Sequence, residues 1–481
     1  MLFSKRKITV IPGDGIGPEV VSAALKVIEA TGVGIEPEIC LAGAKAFEKG
    51  IESGVPDETR ESIERTKVAL KGPLETPIGY GNKSANVTLR TLFETYGNLR
   101  PVRELPGVTT PFTGRKLDIV IVRENVEDLY TGIEYMQTPG VAQALKIISR
   151  AGCEKIVELA FEFAVAAGRK RVHCATKANI MKLTEGMLKH TFEEIAPRYP
   201  QIEAKHILID NAAHQLAMRP EQFDVIVTTN MNGDILSDLT SGLTGGLGFA
   251  PSANIGNNAA IFEAVHGSAP DIAGKNVANP TAIILSGAML LRHIGEGKAA
   301  NDIEQAVLVT LESGVRSGDM AGKAKASTTT EFADAIISNL GKVSSTSGAK
   351  DFRAVQLPEL SNDVQSVEVK TRKVTGVDVF IESKLTPAEL GGDLDEICGG
   401  TTLALQMIGN RGNTVYPVDE AQNITLVDHY RCRFMKRSRG DALTNSEILS
   451  LLTKIGEAHV WMHVEKLQQF DGEDAFSRFQ K

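Results

Sequence analysis

The sequence has few cysteines, no long apolar run and no surplus of positive charge. Its five cysteines form no C-x-x-C pair, which favours reduced thiols in a reducing compartment over a disulfide framework. The most apolar run, residues 282–291, is too short to span a bilayer. Basic residues number 52 against 60 acidic ones, and the net charge of −8 argues against a nucleic-acid or membrane partner.

The remaining composition is that of a globular protein. Hydrophobic residues make up 42% of the chain and charged residues 23%, which are ordinary proportions. A length of 481 residues is enough for two or three domains with real cores. The basic residues near the start lead directly into the strand-like run ITVIP, so we expect no secretory signal and a cytoplasmic location.

The stretch TTNMNGDILSD, residues 228–238, carries the clearest chemical pattern. It follows a β-branched run that predicts a buried strand, and Asn232-Gly233 suggests a turn before a helix that begins near Asp234. On that helix Asp234 and Asp238 would share one face, with Cβ atoms roughly 5–6 Å apart. Their like charges predict a positive group between them, and carboxylate oxygens suit Mg²⁺ or Mn²⁺. Two solvated aspartates at a helix start are the simpler interpretation.

A glycine-rich loop at residues 13–17 follows the first predicted strand and precedes a helix. Its spacing is G-x-G-x-G, with Pro18 at the start of the helix, and it therefore differs from the G-x-G-x-x-G dinucleotide fingerprint. We expect a tight turn near a ligand and not a Rossmann crossover.

Four arginines, Arg90, Arg100, Arg103 and Arg123, fall within a short span, and Arg123 ends a predicted apolar strand. Proteins of the α/β class place ligand groups at strand ends, and guanidinium groups bind carboxylates through two parallel hydrogen bonds. The pattern indicates an anion site, although a solvated charged face fits it equally well.

Three further polar residues stand at loops or strand ends. Tyr130 lies on a loop beside the arginines, where it could donate a proton, and Lys177 follows the predicted strand at residues 171–176. Asp210 comes just past another predicted strand. Taken singly, a packing tyrosine and a surface lysine remain the simpler interpretations.

The composition changes after residue 340, which divides the chain. Residues 343–373 are rich in turn-forming residues and have no period, so they predict a linker between a region at 1–342 and a module at 374–481. The module has the order strand, helix, two strands, helix, strand, with a capping box at the start of each helix. It predicts a small ferredoxin-like α+β domain with a role in regulation or subunit contact.

With these motifs placed, the chain resembles the isocitrate and isopropylmalate family of decarboxylating dehydrogenases over about residues 5–340. The resemblance rests on IPGDGIGPE, KGPLETP, SANVTLR, NLRPVR, VRENVEDLY, HCATKANIMK, NMNGDILSDL and HGSAPDIAGKNVANP. The C-terminal module resembles the extra domain of some bacterial members. The resemblance implies a two-domain α/β fold with interleaved large and small subdomains, distinct from the Rossmann fold. It also implies a homodimer with shared active sites.

The resemblance also implies a role for each candidate residue. Tyr130 would protonate the enolate, and Lys177 would assist removal of the hydroxyl proton. The carboxylates of the substrate would meet Ser84, Asn86, Arg90, Arg100 and Arg123. Mg²⁺ or Mn²⁺ would be held by Asp210, Asp234 and Asp238, with Lys177 and Asp210 coming from the partner subunit. The cofactor would lie against residues of several loops, namely Lys71, Thr76, Glu263, His266, Gly267, Ser268, Ala269, Asp271, Ile272 and Asn279.

The substrate expected from the resemblance is isocitrate, a small molecule that the family converts to 2-oxoglutarate and CO₂ in the citrate cycle. Ser84 and Asn86 are polar, as a γ-carboxylate requires, whereas an isopropyl group would favour an apolar pocket. Isopropylmalate, homoisocitrate or tartrate dehydrogenase activity on the same fold are the alternatives, together with a non-catalytic regulatory subunit. The competent residues at every catalytic position argue against the last of these.

The expected cofactor is NAD⁺ in preference to NADP⁺. Asp271-Ile272 stands where NADP-using members of the family have a Lys-Tyr pair. A carboxylate there would accept a hydrogen bond from a free ribose 2′-hydroxyl and would repel a 2′-phosphate.

Overall fold

The computed structural model describes residues 5–75, 84–322, 325–348, 355, 366–417, 424–438 and 440–478. The chain divides into two compact units. The first comprises Met1–Thr131 and Lys146–Asp363, and the second comprises Gly132–Leu145 and Val364–Lys481.

Strands and helices alternate along most of the described chain. The strands are β1 (Arg6–Ile11), β2 (Ile35–Ile39), β3 (Val68–Lys71), β4 (Gly97–Arg103), β5 (Asp118–Glu124), β6 (Glu134–Thr138), β7 (Val141–Ala144), β8 (Arg171–Thr176), β9 (Glu203–Leu208), β10 (Val225–Thr228), β11 (Pro251–Ile255), β12 (Ala260–Ala264), β13 (Arg372–Glu382), β14 (Leu403–Asn410), β15 (Asn413–Tyr416), β16 (His429–Lys436), β17 (Val460–Phe470) and β18 (Glu473–Asp474). The α-helices are α1 (Gly17–Ala30), α2 (Ala44–Glu48), α3 (Asp57–Thr66), α4 (Ala85–Leu92), α5 (Arg150–Ala166), α6 (Thr184–Ile195), α7 (Ile209–Met218), α8 (Asn230–Thr244), α9 (Thr281–His293), α10 (Gly297–Glu312), α11 (Gly318–Ala321), α12 (Thr329–Ser338), α13 (Pro387–Cys398) and α14 (Asn445–Ala458).

The first unit is built on a ten-stranded mixed sheet in the order β2-β1-β3-β12-β11-β4-β5-β10-β8-β9. The pairs β12–β11, β11–β4 and β4–β5 are antiparallel, and the other neighbours are parallel. Antiparallel strands in the middle of the sheet separate this architecture from a Rossmann fold. The predicted α/β class is confirmed.

Helices cover both faces of this sheet. On β5, Val120 and Val122 face one core with α1, α5 and α9, whereas Ile119 and Ile121 face another with α7 and α8. Strands buried on both sides require apolar residues at consecutive positions, which is why β3 and β10 are continuous apolar runs in the sequence.

The second unit contains a six-stranded antiparallel sheet in the order β15-β14-β16-β13-β17-β18. Its central order, β14-β16-β13-β17, with α13 and α14 in the connections, is that of the predicted ferredoxin-like domain. Both predicted capping boxes are formed, at the starts of α13 and α14. The unit also contains the hairpin β6–β7, whose Thr138 hydroxyl donates to Asp428 at 2.8 Å.

The helix that carries Asp234 starts earlier than the sequence predicts. α8 begins at Asn230, so Asn232-Gly233 lies inside the helix and forms no turn before it. A Cβ atom on Gly233 would lie 2.6 Å from Cγ of Arg123. The glycine therefore allows α8 to approach β5 closely. In the sequence, a glycine needed for close packing cannot be distinguished from a glycine needed for a turn.

Among the residues that the structure describes, no helix is both long and apolar enough to cross a membrane.

Candidate active site

Asp234, one turn into α8, is contacted by three side chains from β4, β5 and the loop after β5. Its Oδ1 accepts hydrogen bonds from Nη1 of Arg123 and, at 3.2 Å, from Nη1 of Arg100. The hydroxyl of Tyr130 donates to Oδ2 at 2.6 Å. Arg100 Nη1 also lies 3.8 Å from Oδ1 of Asp238. Arg100 is thus the positive group expected between the two carboxylates.

Both guanidinium groups are held by a buried polar layer. Asn230 Oδ1 accepts from Nε and Nη2 of Arg123 at 3.0 and 2.8 Å. Arg100 donates from Nε to Asn98 at 2.6 Å and from Nη1 to Ser237 at 2.7 Å. Each rigid fork is therefore held in one direction by side chains of this chain. Burial lowers the pKa of Arg123 to about 9, so the group stays protonated at neutral pH.

The charge of the site is set by burial and by these cations. Burial opposes ionisation of Asp234, yet the charge of Arg123 still lowers the pKa of this carboxyl below its usual value. Burial raises the pKa of Asp238. Burial and the hydrogen bond to Asp234 raise the pKa of Tyr130, which therefore keeps its proton at neutral pH and can donate it.

A second buried ion pair joins predicted substrate and cofactor residues. Lys71 Nζ lies 2.5 Å from Glu263 Oε2, and Arg90 Nη2 lies 3.5 Å from Glu263 Oε1. Burial opposes ionisation of Glu263, but the charge of Lys71 still lowers the pKa of this carboxyl to about 2. Lys71 also donates to Asn86 Oδ1 at 2.9 Å. The fold brings Asn86, Arg90, Lys71 and Glu263 together, whereas Thr76 lies outside the described residues.

The predicted carboxylate-binding residues of the SANVTLR motif lie on one short helix or directly before it. Ser84 precedes α4, while Asn86 and Arg90 lie on it. Burial is the main cause of the lowered pKa of Arg100 and of Arg123, and the nearby charge of Arg90 lowers both pKa values further. The guanidinium group of Arg90 on α4 therefore lies near those of Arg100 on β4 and Arg123 on β5.

The glycine-rich loop after β1 packs against the loop that follows β12. The N–H of Ile16 donates to the carbonyl of Ser268 at 2.8 Å. Gly15 has a φ of 55°, and a Cβ atom there would lie 2.0 Å from that same carbonyl oxygen. Only glycine permits this approach, so the two loops that the sequence assigns to a ligand lie side by side.

The other predicted cofactor residues continue along the same loop. His266 Nδ1 lies 3.0 Å from the carbonyl oxygen of Gly267, and Ala269 has a left-handed backbone with a φ of 40°. Asp271, which is exposed, and Ile272 form a single 3₁₀ turn. At the end of the loop, Asn279 donates to Asp319 at 2.9 Å and accepts from the N–H of Thr281, which fixes the start of α9.

Lys177 and Asp210 contact each other. Lys177 Nζ is 2.9 Å from Asp210 Oδ1, and this hydrogen bond lowers the pKa of Asp210. Within the described ranges, no three His, Cys, Asp or Glu side chains are grouped so that they could hold a metal ion. One chain thus offers the carboxylates of Asp234 and Asp238, whose hard oxygens suit Mg²⁺ or Mn²⁺, but does not bring Asp210 to them.

Several residues of the site went unrecognised in the sequence. Asn98, Asn230 and Ser237 orient the arginines, and Asp128 and Glu185 are fully buried near the start of α8. A polar residue within an apolar strand or beside a motif was the available signal, as with Asn98 in NLRPVR. Which partner each one binds is visible only in the fold.

Comparison with known proteins agrees with this geometry. A family model described as isocitrate/isopropylmalate dehydrogenase matches residues 7–336. The chain belongs to the isocitrate/isopropylmalate dehydrogenase family. A second model, described as the C-terminal domain of bacterial isocitrate dehydrogenase, matches residues 372–481.

Full-length relatives of this family member are known. The NADP isocitrate dehydrogenase of Thermus thermophilus is 59% identical, over 99% of this chain and 96% of its own length. That of Rickettsia conorii is 40% identical, over 98% of each. A crystal structure of a protein from Thermus thermophilus superposes with a TM-score of 0.93 at 60% identity, covering 98% of this chain and 96% of the other. The predicted family fold is confirmed.

These relatives contradict the expected preference for NAD⁺, because both carry NADP in their names. The prediction rested mainly on Asp271 and Ile272, and also on the lack of a Tyr and an Arg in residues 319–327 that could bind a 2′-phosphate. Asp271 is exposed on its 3₁₀ turn, where water and salt screen its repulsion of a 2′-phosphate. A single exposed carboxylate is therefore too weak a basis for excluding NADP⁺.

Proposed function

We propose that this chain catalyses the metal-dependent oxidative decarboxylation of isocitrate to 2-oxoglutarate and CO₂, with NADP⁺ as hydride acceptor, in the cytoplasm. The observation that carries the proposal is the convergence of Arg100, Arg123 and Tyr130 on Asp234. Two fixed cations, one protonated phenol and a carboxylate in one place suit a substrate with several carboxylates that must lose a carboxyl group and gain a proton.

Each side chain has a task in this reaction. Arg90, Arg100 and Arg123 would bind the α- and β-carboxylates and hold the substrate in register, which lowers the entropic part of the barrier. Tyr130 would deliver its proton to the enolate carbon after CO₂ departs. The hydrogen bond to Asp234 holds the phenol at the site, and for the transfer its O–H would turn from that carboxylate to the enolate carbon.

The cation and the dinucleotide supply the remaining chemistry. Asp234 and Asp238 would hold Mg²⁺ or Mn²⁺ together with Asp210 of a second copy, and the ion's charge would stabilise negative charge on the substrate oxygen. NADP⁺ would accept the hydride and would lie along the loops that carry Gly15 and Ser268.

We further propose a homodimer with shared active sites. Lys177 and Asp210 contact each other in one chain, and in the described part of the chain Asp210 forms no metal-holding group with Asp234 and Asp238. A two-fold dimer would supply both residues to the partner's site, where Lys177 would assist removal of the proton of the substrate hydroxyl. The C-terminal unit would then serve assembly or regulation, because the convergent residues all belong to the first unit.

A spectrophotometric assay tests the function directly. The purified chain would be given isocitrate or isopropylmalate, each with NADP⁺ or NAD⁺, in the presence and absence of Mn²⁺, with Tyr130→Phe as the control for contaminating activity. We expect reduction of NADP⁺ with isocitrate and Mn²⁺ only. Faster turnover of isopropylmalate, or no turnover of isocitrate above the control, would refute the proposed function.

A further inference from the structure

Three charged residues form a buried network behind the substrate-facing side chains. This buried triad consists of Asp128, Lys146 and Glu185. Lys146 Nζ contacts Oδ1 of Asp128 and lies 2.9 Å from Oε1 of Glu185. Both carboxylates are fully buried, and only 13% of the Lys146 side chain is exposed. A single ammonium therefore separates two carboxylates in a site from which water is largely excluded.

Glu185, on α6, holds two segments of the candidate site. Its Oε2 accepts hydrogen bonds from the backbone N–H of Lys177 at 2.9 Å and from Nδ2 of Asn232 at 3.2 Å. Its Oε1 accepts from the hydroxyl of Thr229 at 3.1 Å. One carboxylate thus fixes both the backbone at Lys177 and the first turn of α8, the helix that carries Asp234.

Asp128 holds the same helix to the loop of Tyr130. Its Oδ2 accepts from the N–H of Met231 at 3.0 Å, and its Oδ1 accepts from the N–H of Leu129 at 2.8 Å. Its φ of 70° is uncommon outside glycine. The hydrogen bond from its own N–H to the carbonyl of Ile147, at 2.8 Å, helps to maintain that conformation.

We propose that the buried triad is a positioning device and that Lys146 is its central positioning residue. The carboxylates reach the loop of Tyr130, the backbone of Lys177 and the first turn of α8, and Lys146 keeps them in contact. Without the ammonium, the two buried carboxylates would repel each other, and the segments they hold would move apart. Tyr130 and Asp234 would then lose their alignment although neither touches Lys146.

This inference rests on the proposed function and adds a role within it. In the proposed dimer, Tyr130 and Asp234 serve one active site, whereas Lys177 serves the other. The buried triad would therefore hold segments of two active sites in fixed positions relative to each other. It acts through charge balance, which distinguishes it from ordinary core packing and makes it testable by charge-matched substitution.

The test compares Lys146→Met, Lys146→Arg, Glu185→Gln and the double variant Lys146→Met with Glu185→Gln. Lys189→Met is the matched control, because Lys189 lies on α6 but pairs with Glu193 on the surface. For each dimer, kcat, KM for isocitrate, KM for NADP⁺ and the thermal unfolding midpoint would be measured. Lys146→Gln covers the case in which Lys146→Met fails to fold.

Misalignment of reacting groups by about 1 Å lowers rates by roughly 10- to 100-fold, so we expect a loss of that size in kcat for Lys146→Met. KM for NADP⁺ should stay unchanged, and Lys146→Arg should retain most of the rate. The double variant should be faster than Lys146→Met, because Glu185→Gln removes one of the two repelling charges. The introduced amide can still accept from Lys177 and Asn232 and can donate to the hydroxyl of Thr229.

Two results would overturn the inference. One is a kcat for Lys146→Met within twofold of the unsubstituted enzyme. The other is a double variant no faster than Lys146→Met, since charge balance would then be irrelevant. An unsubstituted chain that does not oxidise isocitrate would instead refute the proposed function, so the two failures are distinguishable.

Discussion

The hydroxyl of Tyr130 donates a 2.6 Å hydrogen bond to Oδ2 of Asp234, across 104 positions of the sequence. The proposed proton donor is thus oriented by a proposed metal ligand. Oδ1 of the same carboxylate accepts hydrogen bonds from Arg100 and Arg123. Binding of the substrate, placement of the cation and delivery of the proton would therefore all depend on this one aspartate.

Tyr130→Phe should lower kcat far more than KM. The change removes the proton donor but keeps the ring, and the loss of a general acid costs about 10²–10⁴-fold. Stopped-flow and steady-state kinetics with isocitrate would measure it. Tyr135→Phe is the control, because Tyr135 is exposed on β6. An unchanged kcat would assign the proton to another group.

Asp234→Asn should weaken Mn²⁺ binding and turnover while the protein remains folded. The amide removes a charge from the proposed ligand set and leaves Arg100 and Arg123 without their shared anion. Isothermal titration with Mn²⁺ would measure the affinity and circular dichroism the fold. Asp302→Asn is the control, because Asp302 pairs with Lys298 on the surface of α10. Wild-type Mn²⁺ affinity in Asp234→Asn would contradict the metal assignment.

Mixing two inactive variants should restore activity if active sites are shared. Lys177→Met would be co-expressed with Asp234→Asn under different affinity tags. In a mixed dimer one site carries both defects and the other carries none, so a random mixture should recover about a quarter of the wild-type rate. Two variants of the same site, Tyr130→Phe and Asp234→Asn, are the control and should not complement. Equal rates in both mixtures would argue against shared sites.

Ser84→Leu should weaken isocitrate binding and leave the chemical step nearly unchanged. A γ-carboxylate that faces an apolar side chain loses a polar partner, which costs about 1–3 kcal/mol. KM for isocitrate should rise by roughly 10- to 100-fold. Thr91→Val is the control, because Thr91 lies on the adjoining helix α4, is exposed, and donates its hydroxyl proton to the Val87 carbonyl within that helix. An unaffected KM would remove Ser84 from the substrate site.

Glu124→Gln should stabilise the protein at pH 8 more than at pH 5. Burial raises the pKa of Glu124 to about 7, above the unfolded value near 4.3. The folded state therefore favours the protonated form of Glu124. The loss of folding stability that its ionisation causes grows from about pH 4 to about pH 7 and is constant above that. An amide avoids this cost and still accepts the N–H groups of Val126 and Glu127.

Urea unfolding at the two pH values would measure that difference. We expect a gain of about 1–3 kcal/mol at pH 8 relative to pH 5. Glu48→Gln, at an exposed position in α2, is the control for a general loss of one negative charge. A gain that is equal at both pH values would show that Glu124 ionises as readily in the folded state as in the unfolded state.

The sequence alone was sufficient for the fold class, and it supplied the candidate residues, whose roles stay predictions. Continuous apolar runs such as β10 predict strands buried on both faces, and the capping boxes at Thr386 and Thr444 predict the starts of α13 and α14 correctly. These are local signals, because each depends on residues within a few positions of one another. The boundaries at residues 342 and 374 stay predictions, since most of residues 349–365 lies outside the described part of the chain.

Only the tertiary structure decided which of these residues meet. Asn232-Gly233 has the local signature of a turn, yet Gly233 is needed inside α8 because Arg123 packs against it. Lys71 and Glu263 are paired across 192 positions. Arg100, which belongs to β4, lies between Asp234 and Asp238 on α8. Such pairings depend on strand order and helix placement, which no local spacing encodes. The sequence therefore named the chemical groups, and the fold selected their partners.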